Sequence, residues 1–237
     1  MTRNDFIKTA ALAGAASMAM PKFSFGAAKG SDKIKIAIVG CGGRGTGALQ
    51  NMLAADKNIE IIAAGDLYSE RIEDCGNKVR DFAKRRGLKP EDVWKVNGET
   101  SFIGLDAIDK VLQTPADVVA LVTPPVFRTG HIEKALKANK HVFAEKPICI
   151  DSVQLRKIYN ELIPLADKKG LNVLCGTQMR YHTAIKEAID RVRDGQIGDI
   201  TSIVCLRYEP TYLTGWYEVP SNLVPEDVRY QLLRWLA

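Results

Sequence analysis

The chain has few of the residues that usually build metal, disulfide or nucleic-acid sites. Aromatic residues make up only 7% of its 237 positions, and there are three histidines, His131, His141 and His182. The five cysteines, Cys41, Cys75, Cys149, Cys175 and Cys205, are widely scattered and never fall at a metal-pair spacing. Neither a zinc site nor a disulfide framework is expected from them, and they read as reduced, small apolar residues. Strong charge is absent too, since the net +5 is modest and spread along the chain. The densest basic stretch, Arg71 to Lys89, has no nucleic-acid-binding signature beside it. It reads as a solvated helix face, and no nucleic acid is expected as a partner. No apolar run is long enough for a stable membrane span.

What is present begins with a separate leader. Arg3 and Lys8 bracket a polar head, a mild apolar run follows from Thr9 to Met20, and small residues Gly26 and Ala28 offer a cleavage point. The head, Thr2-Arg3-Asn4-Asp5-Phe6-Ile7-Lys8, resembles a twin-arginine export signal with Asn4 in place of the second arginine. Residues 1–28 are therefore expected to be an export signal, with a periplasmic or otherwise exported mature protein. The alternative is an N-terminal extension on a cytoplasmic one.

From Lys33 onward, strand and helix signals alternate. Apolar strands are predicted at 34–39, 59–64, 117–122, 141–144 and 171–175, with a weaker one near 93–96. Helices are predicted over 46–56, 69–86, 105–112, 130–138 and 152–168. Near-continuous apolar strands separated by helices imply an α/β fold with a doubly wound parallel sheet. This domain is expected to span 31–176.

Gly40-Cys41-Gly42-Gly43-Arg44-Gly45 satisfies G-x-G-x-x-G, with a strand leading in and a helix leading out. In that context Gly40 permits a tight turn, Gly42 lets backbone approach a pyrophosphate, and Gly45 lets helix and strand pack closely. Asp66 ends the second strand at the distance expected for an acid that accepts hydrogen bonds from an adenine ribose. An acid there repels a 2′-phosphate, which favours NAD and makes NADP the less favoured cofactor. Thr123-Pro124-Pro125 and Glu145-Lys146-Pro147 each follow an apolar strand, at the sheet edge where open α/β folds bind ligands. A lysine there suits proton transfer at a substrate oxygen, although spacing alone fits a surface lysine equally well.

These blocks together resemble the Gfo/Idh/MocA family, the glucose–fructose oxidoreductase and inositol dehydrogenase group. The match runs in order through the glycine motif, Asp66, Thr123-Pro124-Pro125 with His131, and His141 to Pro147. It continues through Gly176-Thr177-Gln178-Met179-Arg180-Tyr181 and Gly195 to Ile200. The resemblance implies that Lys146 is catalytic and contacts substrate and cofactor. It places Glu145 and Gly43–Arg44 at the cofactor, Thr123 and Pro124 at the nicotinamide, and Gln178 and Arg180 near substrate. His182 is a candidate proton-transfer partner, the alternative being a helix-start residue. His131 and His141 read as structural.

The resemblance also implies a second α+β domain with an antiparallel sheet, beginning at 177 and incomplete at 237. Its first strand is expected around 201–208, and the further histidine of that domain beyond the chain. Such a fragment is expected to bind NAD without turning over. The stretch Tyr208 to Ala237, with Tyr212, Trp216, Tyr217 and Trp235, suits either stacking on sugar rings or a covering loop. The implied activity is hydride transfer between NAD and a sugar or polyol, by a homo-oligomer when full length. Two alternatives stay open: a glycosidase or lyase working through transient oxidation, and an NAD-binding module without turnover.

Overall fold

The computed structural model describes residues 33–206. The expected export segment and the aromatic stretch from Tyr208 onward lie outside the described residues. Six parallel strands, β1 (Ile34–Val39), β2 (Ile59–Asp66), β3 (Ser101–Ile103), β4 (Val118–Leu121), β5 (His141–Glu145) and β6 (Val173–Gly176), form one sheet in the order 3-2-1-4-5-6. The order reverses between β1 and β4, which makes the end of β1 a topological switch point. Helices flank the sheet: α1 (Gly43–Ala55), α2 (Ser69–Arg85), α3 (Pro90–Val93), α4 (Ala107–Val111), α5 (Pro125–Lys137), α6 (Ser152–Lys157) and α7 (Ile163–Lys169), while α8 (Thr183–Arg193) follows β6 with no buried residue.

The central stretches of β1, β2, β4 and β5 are apolar because both faces of the sheet are covered there. Along β1, Ile36 and Ile38 join one core with Leu49, Leu53, Cys75 and Val79 from α1 and α2. Ala37 and Val39 join the other with Val111 from α4 and Ile132 and Leu136 from α5. The period of two in a β-strand sends neighbours to opposite faces, so polar residues such as Lys35, Glu60 and His141 are confined to the strand ends.

Several elements differ from expectation for local reasons. β3 was not anticipated, since Ser101-Phe102-Ile103 is too short to show a period. The segment near 93–96 instead forms α3 and a single bridge from Trp94 to Ile61. α5 starts at Pro125 rather than Gly130, because proline's missing N–H and fixed φ suit the first helical position. The helix expected over 152–168 is broken by a π turn, Ile158–Leu162, just ahead of Pro164, whose absent N–H cannot continue the ladder. Residues 201–206 form no strand, and no other strand lies beside them to supply ladder hydrogen bonds among the described residues. No described helix is long and apolar enough to cross a membrane.

Candidate functional site

Parallel strands bring all their carboxyl ends to one edge, and the turn after β1 lies at its centre. Gly40 has φ +99°, a conformation that favours glycine, and a Cβ there would lie 2.5 Å from the carbonyl carbon of Val122. The turn runs directly into α1, where a Cβ on Gly45 would stand 2.0 Å from the Gly40 carbonyl oxygen. No side chain caps α1 at Gly42, and the Thr46 N–H makes the 2.9 Å bond to the Gly42 carbonyl. The N–H groups of Gly43, Arg44 and Gly45 therefore lie in the first turn, where a helix accepts an anion. Bare backbone, no room for a Cβ and a positive helix end fit the pyrophosphate of a dinucleotide.

A cleft of about 380 Å³ opens beside this turn. Gly40, Gly42 and Asp66 line one wall, and Thr123 and Pro124 another. Asp66 is fixed by backbone: Cys41 N–H donates to Oδ2 (2.7 Å) and Tyr68 N–H to Oδ1 (3.1 Å). Beneath the turn, Cys41 and Cys75 are buried partners, and their hydrogen bond together with burial pushes the Cys41 thiol well above its ordinary range.

Two lining residues were read otherwise from sequence. Arg71, placed with the solvated basic face, turns into the cleft: its Nη1 lies 3.0 Å from the Cβ position of Gly42, and its guanidinium stacks 5.4 Å from the Tyr68 ring. It sits in the first turn of α2, and nothing in the local charge pattern separates it from the outward lysines and arginines that follow. His131, read as heading a helix, lies in the second turn of α5 because that helix begins early. It lines the cleft, shares a 3.2 Å hydrogen bond with the Thr123 hydroxyl and stacks on Phe127 at 5.8 Å. Burial, reinforced by Lys134 and Arg128, pushes its pKa down to about 4.

Glu145 and Arg44 are outside the cleft lining and bind each other. Arg44 Nε and Nη2 both reach Glu145 Oε1 at 2.7 Å, and the Lys146 N–H donates to Oε2 at 3.2 Å. Glu145 is 4% exposed, and its carboxylate occupies space that Gly176 leaves free on β6. The pair ties the phosphate turn to the end of β5. Lys146 follows at the same edge, exposed, with a cis peptide to Pro147. Gln178 and Arg180 lie on a 3₁₀ turn (Gln178–Tyr181) just past β6, and His182 precedes α8 without a capping hydrogen bond from its side chain. All three are exposed and outside the cleft. The β5–β6 register, Glu145 opposite Gly176, sets their backbone beside the Lys146 segment.

Strand order, the glycine turn and the acid at the end of β2 define a dinucleotide-binding Rossmann domain. The Gfo/Idh/MocA family, described as an oxidoreductase family with an NAD-binding Rossmann fold, matches residues 34–177, and the chain belongs to it. Among curated relatives, the dTDP-3,4-didehydro-2,6-dideoxy-α-D-glucose 3-reductase of Actinomadura kijaniata is 24% identical over 85% of this chain and 50% of its own length. The 2,7-anhydro-N-acetylneuraminate hydratase of Escherichia coli is 28% identical over 48% of this chain and 30% of its own. Among solved structures, scyllo-inositol dehydrogenase from Lactobacillus casei, with NAD(H) and scyllo-inositol bound, is similar at TM-score 0.54 and 27% identity. That match covers 72% of this chain and 44% of the other. The 3-ketoreductase KijD10 from Actinomadura kijaniata, with TDP-benzene and NADP, shares the fold at TM-score 0.50 and 24% identity, over 71% of this chain and 45% of the other. The chain thus spans at most about half the length of these relatives.

Proposed function

We propose that this chain is the cofactor-binding part of an NAD-dependent oxidoreductase that moves hydride between a sugar or polyol carbon and the nicotinamide. The observation that carries the reading is the single edge shared by the Gly40–Gly45 turn, Asp66, the Thr123-Pro124 wall and Lys146. Bound NAD supplies the hydride acceptor or donor. The chain's own groups do the rest. First-turn N–H groups of α1 hold the pyrophosphate, and Asp66, fixed by two backbone N–H groups, accepts from the ribose hydroxyls. Arg71 balances charge at the turn. Lys146 holds a proton at the substrate oxygen, stabilising the charge that develops there as the carbon changes oxidation state. Gln178 and Arg180 orient the substrate hydroxyls, and His182 is placed to exchange a proton with solvent.

Asp66 supports NAD over NADP, since a fixed carboxylate repels a 2′-phosphate. The leader 1–28 supports an exported protein, which sequencing the N-terminus of the protein recovered from each cell fraction tests. The second domain, from 177, and a homo-oligomeric full-length protein complete the proposal. A second reading, transient oxidation without net redox, is favoured by the relative named as a hydratase.

One experiment separates the readings. The full-length protein is mixed with NAD and a panel of sugars and polyols while NADH absorbance is followed. Net NADH supports the dehydrogenase. Product formed without NADH supports transient oxidation, and neither signal leaves a binding module.

A further inference from the structure

Arg128 is the fourth residue of α5, an early helical position where side chains often reach solvent, yet it is 2% exposed. A buried guanidinium persists where most of its donors meet acceptors, and here only Nε lacks one among the described residues. Nη1 donates to the carbonyls of Glu145 and Pro147, the latter at 3.2 Å, and Nη2 donates to the carbonyl of Thr123. None of these acceptors belongs to its own helix. They flank the two segments that carry the reacting edge, and Lys146 stands between two of them.

The sheet explains why such a clamp is needed. The register between β4 and β5 runs to Leu121 opposite Ala144, and past that pair no ladder joins the two chain segments. From there on the Arg128 guanidinium replaces the ladder as the link between the Thr123 turn and the Glu145-Lys146-Pro147 turn. Glu145, whose field favours the arginine charge against the cost of burial, is itself held by Arg44. The backbone at Lys146 is thus fixed from the β4 side by Arg128 and from the phosphate turn by Arg44.

We propose that Arg128 is a positioning residue for the reaction, fixing the backbone on both sides of Lys146 against the Thr123-Pro124 wall so that the ammonium group faces the cofactor. This rests on the reading of Lys146 given above. Lysine in place of Arg128 keeps the charge but concentrates its donors on one nitrogen, which cannot span carbonyls on both segments in the same way.

The test follows acetylation of individual lysines by acetic anhydride, quantified by mass spectrometry on the purified chain with and without saturating NAD. Lys140, whose ammonium donates to the carbonyls of Thr114 and Ala116 away from this edge, reports on the fold. In the wild type NAD is expected to slow Lys146 acetylation at least about fivefold. In Arg128→Lys that protection falls below about twofold while Lys140 stays as slow as in the wild type. Arg128→Gln behaves alike, and if it fails to fold, Arg128→Lys decides. Full protection of Lys146 in Arg128→Lys overturns the proposal, and so does equal loosening of Lys146 and Lys140. A wild type that binds NAD without any protection of Lys146 removes the earlier placement of Lys146, and this inference with it.

Discussion

The wall formed beyond β1 and β2 and the edge beyond β5 and β6 belong to one parallel sheet but are finished differently. At the first, side chains and backbone close on each other: Asp66 takes two backbone N–H groups, Arg71 lies over Tyr68, and Gly40 and Gly45 leave no spare space. At the second, the backbone is fixed from behind while Lys146, Gln178, Arg180 and His182 all stand exposed. Gripping a dinucleotide is work that one compact βαβ frame completes with its own main chain. The side chains proposed to handle a substrate are presented rather than enclosed.

The contrast can be broken from either side. The largest expected effect is at the exposed edge. Lys146→Ala in the full-length protein should lower kcat by about 10²–10⁴-fold, the range for a lost proton-transfer group, and leave NAD titrations and urea midpoints nearly unchanged. Unaltered kcat would remove Lys146 from the chemistry. Gly45→Ala should do the reverse, because the new methyl meets the Gly40 carbonyl. A loss of about 3 kcal/mol in urea unfolding, together with loss of NAD binding, is expected. A variant of wild-type stability would mean that the turn yields more easily than its geometry implies.

Asp66→Ala comes next. Removing a charged acceptor costs about 1.5–3 kcal/mol, so NAD should bind roughly ten- to a hundredfold more weakly, with NADP gaining relative to it. Titrations of both cofactors that match the wild type would take Asp66 out of the site. A pH-dependent effect is expected at His131. Its folded pKa of about 4 lies below the ordinary 6.5, so the unfolded chain takes up the proton first as pH falls. The stability associated with the buried neutral ring is present above about pH 6.5 and is lost between there and about pH 4. His131→Gln should flatten that part of the stability–pH curve relative to wild type, measured by urea melts at several pH values. Parallel curves for the two proteins would show that His131 titrates normally.

Legibility in the sequence follows the same division. The sheet, the glycine turn and Asp66 could be read because each depends on chain-local rules: strand period, positive φ and a fixed interval after the turn. Residues that act across the fold could not. Arg71, Arg128 and His131 each gain their place from helices that carry them toward the strand ends, and Arg128, ahead of the helix expected at Gly130, shows no role until the carbonyls of Thr123, Glu145 and Pro147 are seen around it. The roles of Gln178, Arg180 and His182 came only through resemblance, and the structure supplies their place along the edge but no partner for their side chains among the described residues. Glu145 shows a mixed case. Its position at the end of β5 was legible, whereas its pairing with Arg44 needed the sheet to bring the two ends together.

That pairing has a consequence during synthesis. Arg44 and Glu145 are 101 positions apart in the chain. At a ribosomal pace of about 5–20 residues per second, the phosphate turn leaves the tunnel roughly 5–20 seconds before the carboxylate that braces it. β1 waits similarly for β4, its neighbour at the switch point. The first βαβ unit therefore emerges with its anion-accepting helix end formed from local sequence but without its ionic brace. Chaperone contacts on the nascent chain should concentrate in this interval and fall away once β5 has emerged.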